Sequence, residues 1–340
     1  MSLARAIATG DLAELPSRRD EDWRWSDIRG LLRVLPSPSP VHEGPIPPGP
    51  FANMAAEVVE IINGQGPSVI ELADGERRLV ALRFFAAEPG AHASQLAITL
   101  GAKADLLLLE SHEGRDAYVT EADLAITVGE DARLERLVLA DEPEAAISVS
   151  SARVRLSPGG RFAQTVVTTG AKRQRIETRV EHAGGGATVR LDGLYRLAGR
   201  RHADITTVVV HAGPDGATDQ LTKGVAADQA RGVFQGRIEV ARGSDRSEAH
   251  MGHHALVLSD RAEVDAKPEL EIYADEVICS HGNSIGALDE DALFYARQRG
   301  LPEDAARALL TEAFLGEVID RIEHEGAREV VRGFMAQAPA

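Results

Sequence analysis

Between residues 56 and 278 the apolar positions fall in short runs rather than helical stripes. The runs VVEII, RRLVALRF, ADLLLLES, DLAITV, RLERLVLA, QTVVTT, TVRLDGLYRL, DITTVVV, VFQGRIEV and ELEIY are rich in Val, Ile, Leu and Thr and are bounded by Gly, Asp and Pro. Their length is that of strands, and they lack a 3.6-residue period. So little chain separates them that crossover helices do not fit, which argues against a doubly wound α/β sheet. A small residue followed by a strand recurs at Ala104, Ala132, Gly160, Ala187, Gly232 and Ala262, with steps of 28, 28, 27, 45 and 30 residues. A recurrent step with strands and no helices predicts a solenoid whose coils each carry two or three short strands. Stacked coils place like residues above like, in thin interior columns that favour β-branched and small side chains over rings. A plain sandwich gives similar runs.

Both ends of the chain read differently. Residues 1–35 carry the pattern of a small amphipathic helical region, with Trp23 and Trp25 as core anchors. Residues 36–50, PSPSPVHEGPIPPGP, hold seven prolines in fifteen positions and predict an extended linker or arm. After Cys279 the period becomes helical. DEDALFYARQRG has acidic residues in its first turn, Arg297 and Arg299 in its last, and stops at Gly300. Pro302 opens a second helix, along which Leu309, Leu310, Phe314, Val318 and Ile322 follow at three-to-four spacing. Such a stripe packs on its own domain or docks a partner. The layout expected is a helical region at 1–35, a Pro-rich linker at 36–55, a β core at 56–280 and a helical region at 281–340.

Composition narrows the function classes. A 340-residue chain with a formal charge of −16 and few aromatic residues is a poor match for nucleic acid. One cysteine excludes an internal disulfide. No apolar run is long enough to cross a membrane and the N-terminus has no signal-peptide core, so a cytoplasmic soluble protein is expected.

Two clusters carry candidate chemistry. Cys279 and His281 stand two apart in a strand-like run, so their side chains share a face and can reach one ion. Two ligands do not complete a metal cage, which needs about four; the other reading of Cys279 is a free buried cysteine. His250, His253 and His254, in HMGHH, either include two imidazoles that share a metal or form a solvated polar corner. His202 and His211 flank DITTVVV without a motif. There is no GxSxG, phosphate loop or HExxH, and GGG at 184–186 reads as a turn before a strand. No self-sufficient active site is legible.

The stretch KPELEIYADEVICSHGNSIGALDEDALFYARQRGL, residues 267–301, closely resembles the C-terminal signature of the SufB/SufD family of iron–sulfur cluster assembly proteins. KGVAADQARGVFQGRIEV at 223–240 and EDWRWSDI at 21–28 resemble further parts of that family. Gly282 after His281 is similar to the SufD branch, as is the lack of a cysteine within HMGHHALVLS; Asn283 stands where that signature commonly has alanine. The resemblance implies a right-handed parallel β-helix between N-terminal and C-terminal α-helical regions. It further implies a non-catalytic scaffold subunit that pairs with a SufB-type homologue and the ATPase SufC. His281 and Cys279 would face the partner and help hold iron or a transient iron–sulfur cluster shared with SufB, with none tightly bound to this chain alone. Leu309, Leu310 and Phe314 would dock the ATPase. A homodimer is the form open to the chain in isolation. The alternatives are a stand-alone β-helix enzyme, carbohydrate-active or acyl-transferring, and a homodimeric metal-binding protein using HMGHH.

Overall fold

The computed structural model describes residues 2–54 and 57–338, so the expected junction at residues 55 and 56 lies outside the described residues. Parallel strands from β1 (Glu57–Ile62) to β17 (Val277–Gly286) alternate between two sheets: nine odd-numbered strands in one, eight even-numbered strands in the other, each sheet in sequence order. The chain is therefore mainly β, a parallel β-solenoid in which each coil contributes one strand to each sheet. Two strands and two turns account for the step read from the sequence. Val80 pairs with Leu108, Leu108 with Arg136, and Arg136 with Gln164. The discordant step of 45 arises where the reading crossed sheets. Ala187 precedes β11 (Thr188–Leu197), whereas Gly232 lies in β14 (Arg231–Val240) of the other sheet. One coil beyond Thr188 is Ala217.

The main-chain ladder continues round the corners. Lys103, Asp131, Asp215 and Arg246 adopt left-handed φ of 59°, 55°, 59° and 58°, and Gly75 and Gly159 hold equivalent turns at 69° and 70°. Their N–H groups donate to carbonyls of the next coil, as from Lys103 to Glu130 at 2.8 Å and from Gly159 to Gly185 at 3.1 Å. At Gly159 the corner also brings Asp131 close: a Cβ there would lie 2.1 Å from Asp131 Oδ1, so a larger residue would have to move that side chain.

Strand alternation sends every second side chain inside. One interior column runs Leu106, Leu134, Phe162, Val189, Thr218, Ala249, Cys279. The next runs Leu108, Arg136, Gln164, Leu191, Gln220, Met251, His281. The first of these columns is mostly apolar, whereas polar side chains interrupt the second at Arg136, Gln164 and Gln220. A full ion pair joins two interior columns: Arg136 donates through Nε and Nη2 to both oxygens of Glu110, at 2.8 and 2.7 Å, and through Nη1 to Gln164. His112 Nε2 lies 2.7 Å from Glu110 Oε1. Burial pushes the Glu110 carboxyl up, but Arg136 and His112 outweigh it and hold it down at about 2.

The terminal segments line the two outer faces. The N-terminal segment is helical only over α1 (Leu3–Thr9) and in short 3-10 turns at Leu12–Glu14 and Glu21–Trp23. The rest of it runs in turns, with the Asp22 and Trp25 carbonyls accepting from the even-numbered sheet, which corrects the expectation of a helical region throughout 1–35. Arg175 donates to the Asp22 carbonyl at 2.6 Å, Arg173 to that of Trp25 at 3.1 Å, and Trp23 stacks against Arg175 at 4.5 Å. The Pro-rich arm is extended and bridges the sheet where Pro38 meets Ala91. At the other end β17 runs to Gly286, so helix begins at α2 (Glu290–Gln298), followed by α3 (Glu303–Ile319) and α4 (Glu325–Gln337). Leu315, Val318, Ile319, Val331 and Met335 pack on Leu137, Leu139, Val167 and Leu194 of the odd-numbered sheet. Arg321 pins this layer by donating to Asp192 at 3.1 Å and to Asp219.

Replacing Arg136 by Met leaves Glu110 buried without its cation. Chemical denaturation should show a loss of about 3–5 kcal/mol, and Glu110→Leu in the same chain should restore part of it. In the unaltered chain the depressed Glu110 carboxyl contributes stability that is present above pH 4.5 and is lost as pH falls towards about 2.

Candidate functional site at the terminal coil

The solenoid ends on β16 (Glu263–Ile272) and β17, and neither has a further strand paired beyond it among the described residues. Coil register fixes what this rim presents. Ala249 pairs with Cys279, Met251 with His281 and His253 with Asn283, so all three β17 side chains extend interior columns to the open end. Cys279, two residues before His281 on the same face, is half-buried, while His281 and Asn283 are exposed. The two candidate ligands are therefore side by side, as their spacing required. Burial pushes the Cys279 thiol up, and a hydrogen bond to the Ala249 backbone only partly offsets this. In the isolated chain burial thus favours the protonated thiol. Among the described residues no group of three or more His, Cys, Asp and Glu can hold a metal ion, so this chain alone offers an incomplete ligand set.

The HMGHH imidazoles on β15 (Ser247–Val257) do not form one cluster. His250 and His254 face outward, each hydrogen-bonded through Nδ1 to a serine of β17: Ser280 at 2.8 Å and Ser284 at 2.7 Å. Four residues of strand separate these two by about 13 Å, too far for one ion. His253 points inward and is fully buried. Its ring stacks on Phe234 at 4.8 Å, and its nitrogens meet Tyr195 Oη at 3.0 Å and Asn283 Oδ1 at 2.7 Å. Burial pushes its pKa down to about 4, so the ring is neutral. The cluster is neither a metal site nor a wholly solvated corner; it fastens the last strand to the one beneath it.

Of the apolar stripe on α3, Leu309 is half-exposed, whereas Leu310 and Phe314 are partly buried against the chain's own sheet and helices. Phe314 also sits under Lys223 Nζ at 4.4 Å. The exposed apolar side chains of this region are Phe294, Tyr295, Leu301 and Leu309. Sequence reasoning passed over the first three because Phe294 and Tyr295 were read only as part of the α2 pattern. His202 and His211 are buried; His202 Nε2 meets the Trp25 carbonyl at 3.1 Å, and His211 Nε2 meets Thr218 Oγ1 at 2.9 Å. The glycines at 184–186 form a left-handed turn before β11. No helix among the described residues is long and apolar enough to cross a membrane.

Residues 84–314 match the family model described as SUF system FeS cluster assembly, SufBD core domain. The chain belongs to the SufBD family. It is 33% identical over 197 residues to an iron–sulfur cluster assembly SufBD family protein of Synechocystis, covering 58% of this chain and 44% of that one. It is 30% identical over 220 residues to the iron–sulfur cluster assembly protein SufD of Escherichia coli, covering 65% and 52% respectively. Against the chloroplastic protein ABCI7 of Arabidopsis thaliana it is 29% identical over 288 residues, 80% of this chain and 61% of the relative. The chain spans about half the length of the curated relatives it matches. The SufBD core match takes in β17 whole, with Cys279 and His281, and most of α3.

A raised Cys279 thiol predicts slow alkylation by iodoacetamide at pH 7 in the isolated chain. The rate should climb with pH, with an inflection above that of an unperturbed cysteine; a thiolate already formed at neutral pH would show a flat profile.

Proposed function

We propose that this chain is a non-catalytic scaffold subunit of iron–sulfur cluster assembly, working in the cytoplasm and joined through its terminal coil to a SufB-type homologue. One observation carries this reading: the inner face of β17, whose outer edge has no paired strand among the described residues, presents His281 and Cys279 where a second solenoid would have to abut. The strand VICSHGNSIG bears no carboxylate, lysine or arginine, so a partner strand can add to it without burying such a charge. β16 beside it carries Lys267, Pro268, Glu269 and Glu271, features that blunt an edge. Pairing therefore runs through β17. The partner supplies the thiolates this chain lacks, and the iron or nascent cluster is cargo held across the joint rather than a resident cofactor.

The C-terminal helices dock the ATPase SufC. Phe294, Tyr295 and Leu309 on α2 and α3 remain uncovered after α3 has packed on its own sheet, and they lie where the resemblance expects the ATPase. Leu310 and Phe314 act at one remove, by fixing the helix that displays Leu309.

In the complex with both partners, His281→Ala should reduce iron–sulfur loading at least tenfold, of the order seen on losing a metal-orienting group, with Cys279→Ser reducing it less. Unchanged loading in both variants would exclude the rim as the cargo site. Separately, Phe294→Glu with Leu309→Glu should weaken ATPase capture by about 2 kcal/mol or more in a titration, without altering the unfolding midpoint.

A further inference from the structure

A buried relay ends at the rim beside His281. Tyr195 is fully buried and its hydroxyl meets His253 Nε2 at 3.0 Å; His253 Nδ1 meets Asn283 Oδ1 at 2.7 Å. The directions of these bonds are linked. Asn283 Oδ1 only accepts, so His253 Nδ1 carries the proton. Nε2 is then the acceptor, and the Tyr195 hydroxyl donates to it. Face-to-face stacking on Phe234 at 4.8 Å, with 1° between the planes, holds the imidazole in place. With Oδ1 committed to His253, the Asn283 Nδ2 group is left with two N–H donors and no side-chain or backbone partner among the described residues. Asn283 is two residues beyond His281 on the same face, so these donors belong to the rim that carries Cys279 and His281.

We propose that the Asn283 amide is a fixed hydrogen-bond donor to an anionic sulfur, the sulfide or thiolate of an iron–sulfur unit held at this rim, and that Tyr195 and His253 are positioning residues that keep its N–H₂ group turned outward. The inference rests on the reading of the terminal coil as the cargo site. An amide free to rotate would present oxygen as readily as nitrogen, and oxygen repels sulfide. The relay removes that freedom from inside the solenoid, using residues that never touch the cargo. N–H donors to cluster sulfurs stabilise the more reduced, more negative state and so raise the reduction potential.

Two measurements test it. In the full chain without iron, nitrogen NMR should find His253 as the Nδ1–H tautomer with Nε2 accepting from Tyr195, and Tyr195→Phe should shift the Nε2 resonance by removing that bond while the proton stays on Nδ1. A wild-type Nε2–H tautomer would overturn the relay whatever the rim binds. In the complex with both partners, loaded with iron and sulfide, Asn283→Ala and Asn283→Asp should each lower the cluster's reduction potential. Each should also hasten cluster loss about tenfold, with co-elution of the partners unchanged. Asn283→Asp keeps the bond from His253 but puts an anionic oxygen where the outward donors were, so it should lower the potential further than Asn283→Ala, which only removes the donors. If His281→Ala loses the cluster while Asn283→Ala leaves the potential unmoved, the amide donor is wrong and the cargo site stands. If His281→Ala changes nothing, both fall.

Discussion

A ladder of parallel strands has to end, and at its end a row of N–H and C=O groups has no partner. That requirement shapes this molecule more than any single contact. At its beginning the solenoid meets it by brevity: β2 spans only Val69–Leu72, and β1 opens with Glu57 and carries Glu60. At its finish it does not. Both β16 and β17 are ten residues long, and helices α3 and α4 cover the outer face of the sheet rather than its edge. A ten-residue edge without lysine, proline or acid, as in β17, is an aggregation hazard for a protein meant to stay alone. For one meant to be joined, it is the joint.

Register then decides what stands at that joint. Because coils stack without slipping, a residue's neighbour in the next coil is fixed by the step, and interior columns run unbroken to the rim. The Cys279 column begins with leucines and passes through Phe162 and Val189, whereas that of His281 acquires Arg136, Gln164 and Gln220 on the way. The polar side chains in that column have a physical reason. Where partners can be found along the axis, as in the Arg136–Glu110–His112 group, buried polar side chains fix registration in a way that aliphatic ones cannot. Interchangeable leucines tolerate a one-coil slip; a guanidinium matched to one carboxylate does not.

The sequence exposed this architecture unevenly, for the same reason. Each run named from its apolar texture forms a strand, among them RRLVALRF in β3 (Arg77–Ala86) and DITTVVV in β12 (His202–His211). Strands whose inward positions are polar escaped that reading. In β10 (Arg173–His182) the inward side chains include Gln174, Thr178 and His182, and in β13 (Ala217–Ala226) they include Thr218, Gln220 and Thr222. Polar-in and charged-out alternation looks like loop. The step survived because turn geometry, not hydrophobicity, sets it. Cys279 and His281 were legible as a pair from spacing alone, but their place at a rim required the coil count. The splitting of HMGHH, and the inward turn of Leu310 and Phe314, depend on side-chain direction relative to a neighbouring coil or sheet, which one strand or helix read alone does not contain.

A site on a rim behaves differently from one in a cavity. Cys279 ends a largely apolar column, where burial favours the neutral thiol. Iron would reverse it, and under the proposed reading iron is held only when a second chain completes the ligand set. Linkage then acts in both directions: whatever the joint gains on binding metal, metal binding gains on forming the joint. Anything that works on the exposed helices and strains the joint therefore weakens the hold on cargo without touching a ligand. A split coordination sphere is thus a means of release as well as capture. Under the same proposal a scaffold subunit need contribute only one thiol and one imidazole, provided they sit on the last strand of a stack too stiff to let them turn away.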